Sequence, residues 1–277
     1  MSKPTGMLAP HNTRQWTRRD ATHLLWRAQF GATVSEIDRA HKESLSKNLG
    51  RLLTPQPESE EFQVVEPLLR ETAYDTGSIS DLQAWWLYRM HYSANPLTEK
   101  LALFWHNHFA TSSAKVRSVP HMAAQNDLFR SESLGSFRKM LHGMAKDVAM
   151  LIWLDGNANR KRQANENFAR EVLELFSLGE GNYSEADIKQ AARAFTGWHV
   201  RDDKFWFNKR QHDYGSKTIF GRTGKFDGGD IIDLSLEQKA CPRFIAFKLL
   251  RTFVLDQPTE AHITALAARI RKHDFAM

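Results

Sequence analysis

Asn165-Glu166-Asn167-Phe168-Ala169-Arg170-Glu171-Val172-Leu173-Glu174-Leu175-Phe176-Ser177-Leu178-Gly179, followed by Ser184-Glu185-Ala186-Asp187-Ile188-Lys189-Gln190-Ala191-Ala192-Arg193-Ala194-Phe195-Thr196-Gly197, carries two complete helix signatures. In the first run Phe168, Val172, Leu175 and Phe176 recur at spacings of three and four, which puts them on one apolar face of an α-helix. Gly179 then stands where a left-handed cap ends such a helix. The second run opens with Ser184 and Asp187, a reciprocal capping pair, and stops at Gly197.

The same signals recur on both sides. Apolar spacing predicts a helix from Arg18 to Phe30, stopped by Gly31, and Thr33 with Glu36 caps a second one running toward Leu45. A Pro-rich acidic loop over residues 54–61 separates this pair from further helices over Asp81 to His91 and from Pro96 through Phe109. Residues 136–154 read as two short helices broken near Gly143. Residues 204–230 hold short β-prone runs between glycines, read as one small hairpin or structured loop. Helices resume from Leu236, with Pro242 at a helix start, and close with Thr259 to Arg271. The expected fold class is therefore all-α: a multi-helix globular bundle with a small β-hairpin insertion near residues 200–230. Residues 1–15 read as a disordered lead-in, and 16–277 as a single mostly helical domain truncated at its C-terminus.

Composition bounds the function. The chain has 277 residues, 42% of them hydrophobic, with eight Trp and 17 Phe for a thick core or an aromatic cleft. One cysteine, Cys241, excludes an internal disulfide framework and a thiolate metal cluster. A net charge of +6 favours acidic partners in general, but the basic residues are spread among 32 acids, which argues against a nucleic-acid surface. No apolar run has the length of a membrane span. Arg18-Arg19 lacks the apolar segment of an export signal, so a cytoplasmic location is the default.

Three groups of residues could carry chemistry. His106 and His108 lie about 200° apart on a helix, so they cannot chelate one metal together, and His108 shares the stripe of Leu101, Phe104 and Trp105. On the 165–178 helix, Asn167, Arg170, Glu171 and Glu174 gather beside the apolar face, and Glu166, Arg170 and Glu174 form an i, i+4 ladder of ordinary ion pairs. The functional alternative is Glu171 or Glu174 projecting into a cleft with Asn167 and a histidine, as metal ligand or general base. In the glycine-rich insertion, His212-Asp213 can orient one another and Lys217 can meet an anion. Asp155, Asn157, Asn159 and Glu166 have the spacing of a calcium loop. Arg160 replaces its glycine, and Lys161 and Arg162 add positive charge, so an Asn-rich cap explains the same residues.

Residues 21–31, 99–109, 165–171, 183–187, 196–198, 212–217 and 242–248 together resemble the bacterial domain-of-unknown-function family 1800. The resemblance implies a mostly helical fold and a domain that runs beyond 277 residues. It also implies a partner from the domain-of-unknown-function family 1501, similar to alkaline phosphatases and sulfatases, and relatives that are exported. It implies no established activity.

Two functions follow as expectations. One is a metal-assisted or acid/base hydrolase-like site between the 97–112 and 165–178 helices. It would use His106, His108, Glu166, Glu171, His212 and Asp213 as catalytic candidates, and Asn107, Asn165, Asn167, Arg170 and Lys217 for binding, with a divalent metal as candidate cofactor. The other is a non-enzymatic scaffold or accessory protein whose same residues form a buried polar network. Both require the 97–112 and 165–178 helices to meet, with the insertion folded over them.

Overall fold

Capping chemistry sets where the helices begin. In the computed structural model, which describes residues 16–276, the side chains of Thr17, Thr33, Ser44, Ser59, Ser78, Ser118, Ser136, Asp147, Ser184, Asp227 and Thr259 each accept a backbone N–H at a helix start. Each such cap contributes about 1 kcal/mol. The expected disordered lead-in lies outside the described residues.

The first helices are α1 (Arg18–Ala28), α2 (Val34–Lys42), α3 (Leu45–Leu53), α4 (Glu60–Thr76), α5 (Ile79–Tyr92) and α6 (Pro96–Phe109). Next come α7 (Ser113–Val116), α8 (Val119–Ser131), α9 (Phe137–Ala145), α10 (Val148–Trp153), α11 (Glu166–Glu171) and α12 (Glu185–Ala194). Two antiparallel hairpins follow, β1 (Trp198–Arg201) with β2 (Lys204–Phe207) and β3 (Lys217–Ile219) with β4 (Arg222–Gly224). The chain then runs through α13 (Gly228–Glu237), α14 (Ala240–Phe253) and α15 (Glu260–Lys272). Among the described residues, no helix is long and apolar enough to cross a membrane.

The all-α reading holds, with local corrections. α4 forms where no helix was expected: it starts at Glu60, inside the stretch read as an acidic loop, with Ser59 as its cap and Pro67 within it. The break between α9 and α10 falls at Lys146-Asp147, where Asp147 caps α10, while Gly143 stays inside α9 against Leu128. α13 starts at Gly228 rather than Leu236, because Asp227 and Asp230 form a capping box. The insertion is two hairpins, and they pack on α10, α12 and the 156–158 turn instead of covering α6.

The decisive correction lies in the stretch that opened the reading. Only Glu166–Glu171 is α-helix, and Val172–Leu178 is a π-helix. Ser177 Oγ donates to Val172 O at 2.6 Å, and the Gly179 N–H reaches Glu174 O, five residues back, at 3.0 Å. The wider turn rotates Leu175 to the surface, 43% exposed, and buries Leu173 and Ser177 with Phe168, Val172 and Phe176.

The main core joins α6, α9, α10, the π-helix, α12, α13 and α14 around Trp105, Phe109, Phe137, Phe168 and Phe195. Smaller clusters join α4, α5 and α8, and α1 with α2. α6 lies between the main core and these outer helices.

Candidate functional site: a cationic cavity beside His108

The pitch of α6 turns His106 and His108 to different neighbours. His106, half-buried, lines a cavity of about 260 Å³ with Trp85, Trp86, Met122 and Asn126, and none of the described residues lining it is Lys, Arg, Asp or Glu. Its ring meets Trp86 edge-on at 5.2 Å, and burial pushes its pKa below the ordinary histidine value. Behind that cavity Glu99 is 1% exposed. It accepts from Arg130 Nε at 2.7 Å and from Arg89 Nε at 3.0 Å. Arg89 also reaches Glu66 at 2.6 Å, and Arg70 pairs with Asp127. The guanidinium groups of Arg70, Arg89 and Arg130 pack on the Trp85 ring. These charges are mutually satisfied and fix α4, α5, α6 and α8 together.

His108 faces the other way and is buried. Its Nε2 lies 3.0 Å from the Phe176 carbonyl, an orphan oxygen at the end of the π-helix. A carbonyl only accepts, so Nε2 carries the proton and Nδ1 of the neutral ring must be the acceptor. Burial, and next the charge of Lys248, push the pKa of His108 well below the ordinary value and keep it neutral. Lys248 Nζ, from α14, donates to that Nδ1 at 3.0 Å. It also sits 4.6 Å from the Phe244 ring centre. Burial pushes the Lys248 ammonium down to about 8.

This pair lines a cavity of about 310 Å³ between α6 and α14, together with Lys100, Leu103, Phe104, Asn107, Phe247 and Arg251. None of the described residues lining it is Asp or Glu. Lys100 donates to the carbonyls of Trp26 and Gln29 at 2.7 Å each, where α1 ends. Arg27, on the same helix end, donates to Thr252 O at 3.3 Å. Burial and then the nearby Arg27 push the Lys100 pKa down. The exposed Asn107 stands on the rim.

The 97–112 and 165–178 segments do meet, through the His108–Phe176 hydrogen bond. The remaining candidates do not join them. Asn165 caps α11 by accepting from the Asn167 N–H, and Asn167 itself is exposed. Arg170 forks onto Glu185 with two bonds of 2.8 Å and touches Glu166 at 3.4 Å, which is the surface ion-pair reading. Glu171 is half-buried, its pKa raised by burial and then by Glu174. His212 Nδ1 bonds the Thr196 carbonyl at 2.8 Å, and Asp213 accepts from Arg193 at 2.8 Å and from the Gly215 N–H at 2.8 Å. Lys217, 1% exposed, spends its ammonium on the Asp213 and Gly215 carbonyls. The loop is a closed clasp, and its short-range bonds use up the groups that looked free in sequence.

The calcium-like spacing has a similar fate. Asn159 is buried, binding Asn165 N and Ala192 O. Asn157 brackets Val200, and Asp155 pairs with Lys115. Among the described residues, no group of three or more His, Cys, Asp or Glu could hold a metal ion, so the metal-assisted reading has no ligand set there. Cys241 is buried, its thiol pushed up to about 12, which makes it a poor nucleophile.

With the geometry established, comparison with known families decides membership. The family described as "Protein of unknown function (DUF1800)" matches residues 23–277. The chain belongs to the DUF1800 family. No curated protein and no solved structure matches it. In this DUF1800 chain Lys248, which lines the cavity, was absent from the sequence-derived candidates. The available signal was a lysine one turn after Phe244 in an otherwise apolar helical run, a placement that sets an ammonium on a half-buried face.

Proposed function

We propose that this DUF1800 chain binds a small oxyanion, a carboxylate, phosphate or sulfate, in the cavity between α6 and α14 that Lys248 lines. One observation carries the reading: the hydrogen-bond partner of Lys248 is the acceptor nitrogen of a neutral histidine, and none of the described residues lining the cavity is a carboxylate. Moving an ammonium from 10.5 to about 8 corresponds to about 3 kcal/mol of penalty on the charged form, or about 1–2 kcal/mol after allowance for its partial exposure. A fold that retains such a cost beside Lys100 and Arg251 is poised for an anion, which would restore the missing counter-charge through charge-assisted hydrogen bonds.

The test is titration of the full chain with inorganic phosphate at constant ionic strength, followed by calorimetry. Saturable one-site binding that is lost in Lys248→Met and weakened in Arg251→Met supports the reading. Heat equal to that of sodium chloride, or equal affinity in Lys248→Met, contradicts it.

A partner from the domain-of-unknown-function family 1501 is proposed on the same footing. Phosphatase- and sulfatase-like chemistry releases the oxyanions that this cavity's charge suits. A scaffold role is the better reading for His212, Asp213, Lys217 and the Glu99 cluster, because their polar groups are paired within the fold.

A further inference from the structure

We propose that Lys248 is a carbonyl-condensing amine and that the ligand is a small oxo acid, its carboxylate held by Arg251 while its carbonyl carbon meets Nζ. This deepens the oxyanion reading and rests on it.

The argument is one of hydrogen-bond direction. An amine attacks through its lone pair, so it must be held by a donor–acceptor bond that leaves the pair free. The Phe176 carbonyl fixes the His108 proton on Nε2, at 3.0 Å, and Nδ1 is left as an obligate acceptor. It takes one N–H of Lys248, also at 3.0 Å. The second N–H and the lone pair of the neutral amine remain for the cavity that Lys248 lines. A carboxylate in place of His108 would hold the ammonium form instead, and none of the described residues lining the cavity is one. Burial works in the same direction, since with Lys248 at about 8 roughly a tenth of the chains carry the free amine at pH 7. A cavity of about 310 Å³ suits a ligand of a few heavy atoms.

The step balances without an oxidant. The Nζ lone pair adds to the carbonyl carbon. The carbonyl oxygen takes the two amine hydrogens and leaves as water, and a nitrogen–carbon double bond remains.

The test uses the full chain with pyruvate and sodium borohydride, whose hydride reduces the imine to a stable secondary amine. Intact mass and peptide mapping then locate the adduct. The expected result is one adduct per chain, on Lys248, formed roughly tenfold or more faster than on any other lysine, and suppressed by inorganic phosphate. Lys248→Arg has no primary amine at this position and loses the adduct, while the slow background labelling of the other lysines stays as in the parent. Adducts spread over surface lysines, with phosphate binding intact, overturn the condensing role and leave the oxyanion reading standing. Absence of phosphate binding in the parent chain removes the oxyanion premise and this inference with it.

Discussion

Asp147 caps α10 from a half-buried position, and replacing it by Asn gives a sharp test of the fold's energetics. Its Oδ1 accepts the Met150 N–H at 2.8 Å and Gln125 Nε2 at 2.6 Å. Burial outweighs those bonds and pushes the carboxyl from 3.8 up to about 6. Between these values the native chain holds a proton that the unfolded chain has released. Stability therefore falls as pH rises through the window, and the deficit is complete above about 6. A shift of about two units corresponds to about 3 kcal/mol at pH 7.5. Asp147→Asn keeps an Oδ1 acceptor and an equally good cap, and cannot ionise. Its amide opposes the Ala149 N–H that the carboxylate also accepts, at a cost of about 1 kcal/mol. The variant should be about 2 kcal/mol more stable than the parent at pH 7.5 and about 0.5 kcal/mol less stable at pH 4, where part of the ionisation deficit is already present. Urea denaturation at the two pH values, with equal m-values, measures both numbers. An equal loss of stability at both pH values would refute the reasoning, because it would mean that Asp147 carries no burial penalty.

Other perturbations test the packing around the two cavities. Glu99→Ala leaves Arg89 and Arg130 without their shared carboxylate, although Glu66 and Asp127 remain. A loss of about 3 kcal/mol is expected by urea denaturation, and a loss below about 1 kcal/mol would contradict a buried ionic hub. Gly197 has φ +82°, and a Cβ there would lie 2.6 Å from the Asn208 carbonyl. Gly197→Ala should cost more than about 2 kcal/mol, whereas Gly50→Ala, in the open interior of α3, should stabilise by about 0.5–1 kcal/mol. Thermal unfolding of the pair checks the contrast, and equal shifts would count against it.

Local signals in the sequence located much of this fold. Thr33 with Glu36, Ser184 with Asp187 and Thr259 mark true helix starts, and Gly179 and Gly197 both have positive φ. The divergence of His106 and His108 follows from helical pitch alone and is what assigns them to separate cavities. The π-turn was not legible, because a 3.6-residue period is assumed whenever apolar spacing is read, and Leu175 was accordingly assigned to the wrong face. Nor was the cationic cavity. Lys100 and Lys248 come to line one cavity only once the fold places α6 and α14 on either side of it, and sequence does not show whether an ammonium meets a carboxylate or a histidine. The partners of His212-Asp213 were not legible for the converse reason, since Thr196 and Arg193 engage them only after the chain turns back.

The central claim is that Lys248 holds an uncompensated charge that an oxyanion neutralises. Heteronuclear NMR of the lysine Nζ resonances, titrated with pH in the absence and presence of inorganic phosphate, measures this directly. The account predicts a Lys248 pKa near 8 in the free protein, raised when phosphate binds because the anion favours the ammonium form. A value close to the ordinary 10.5, unmoved by phosphate, would contradict it.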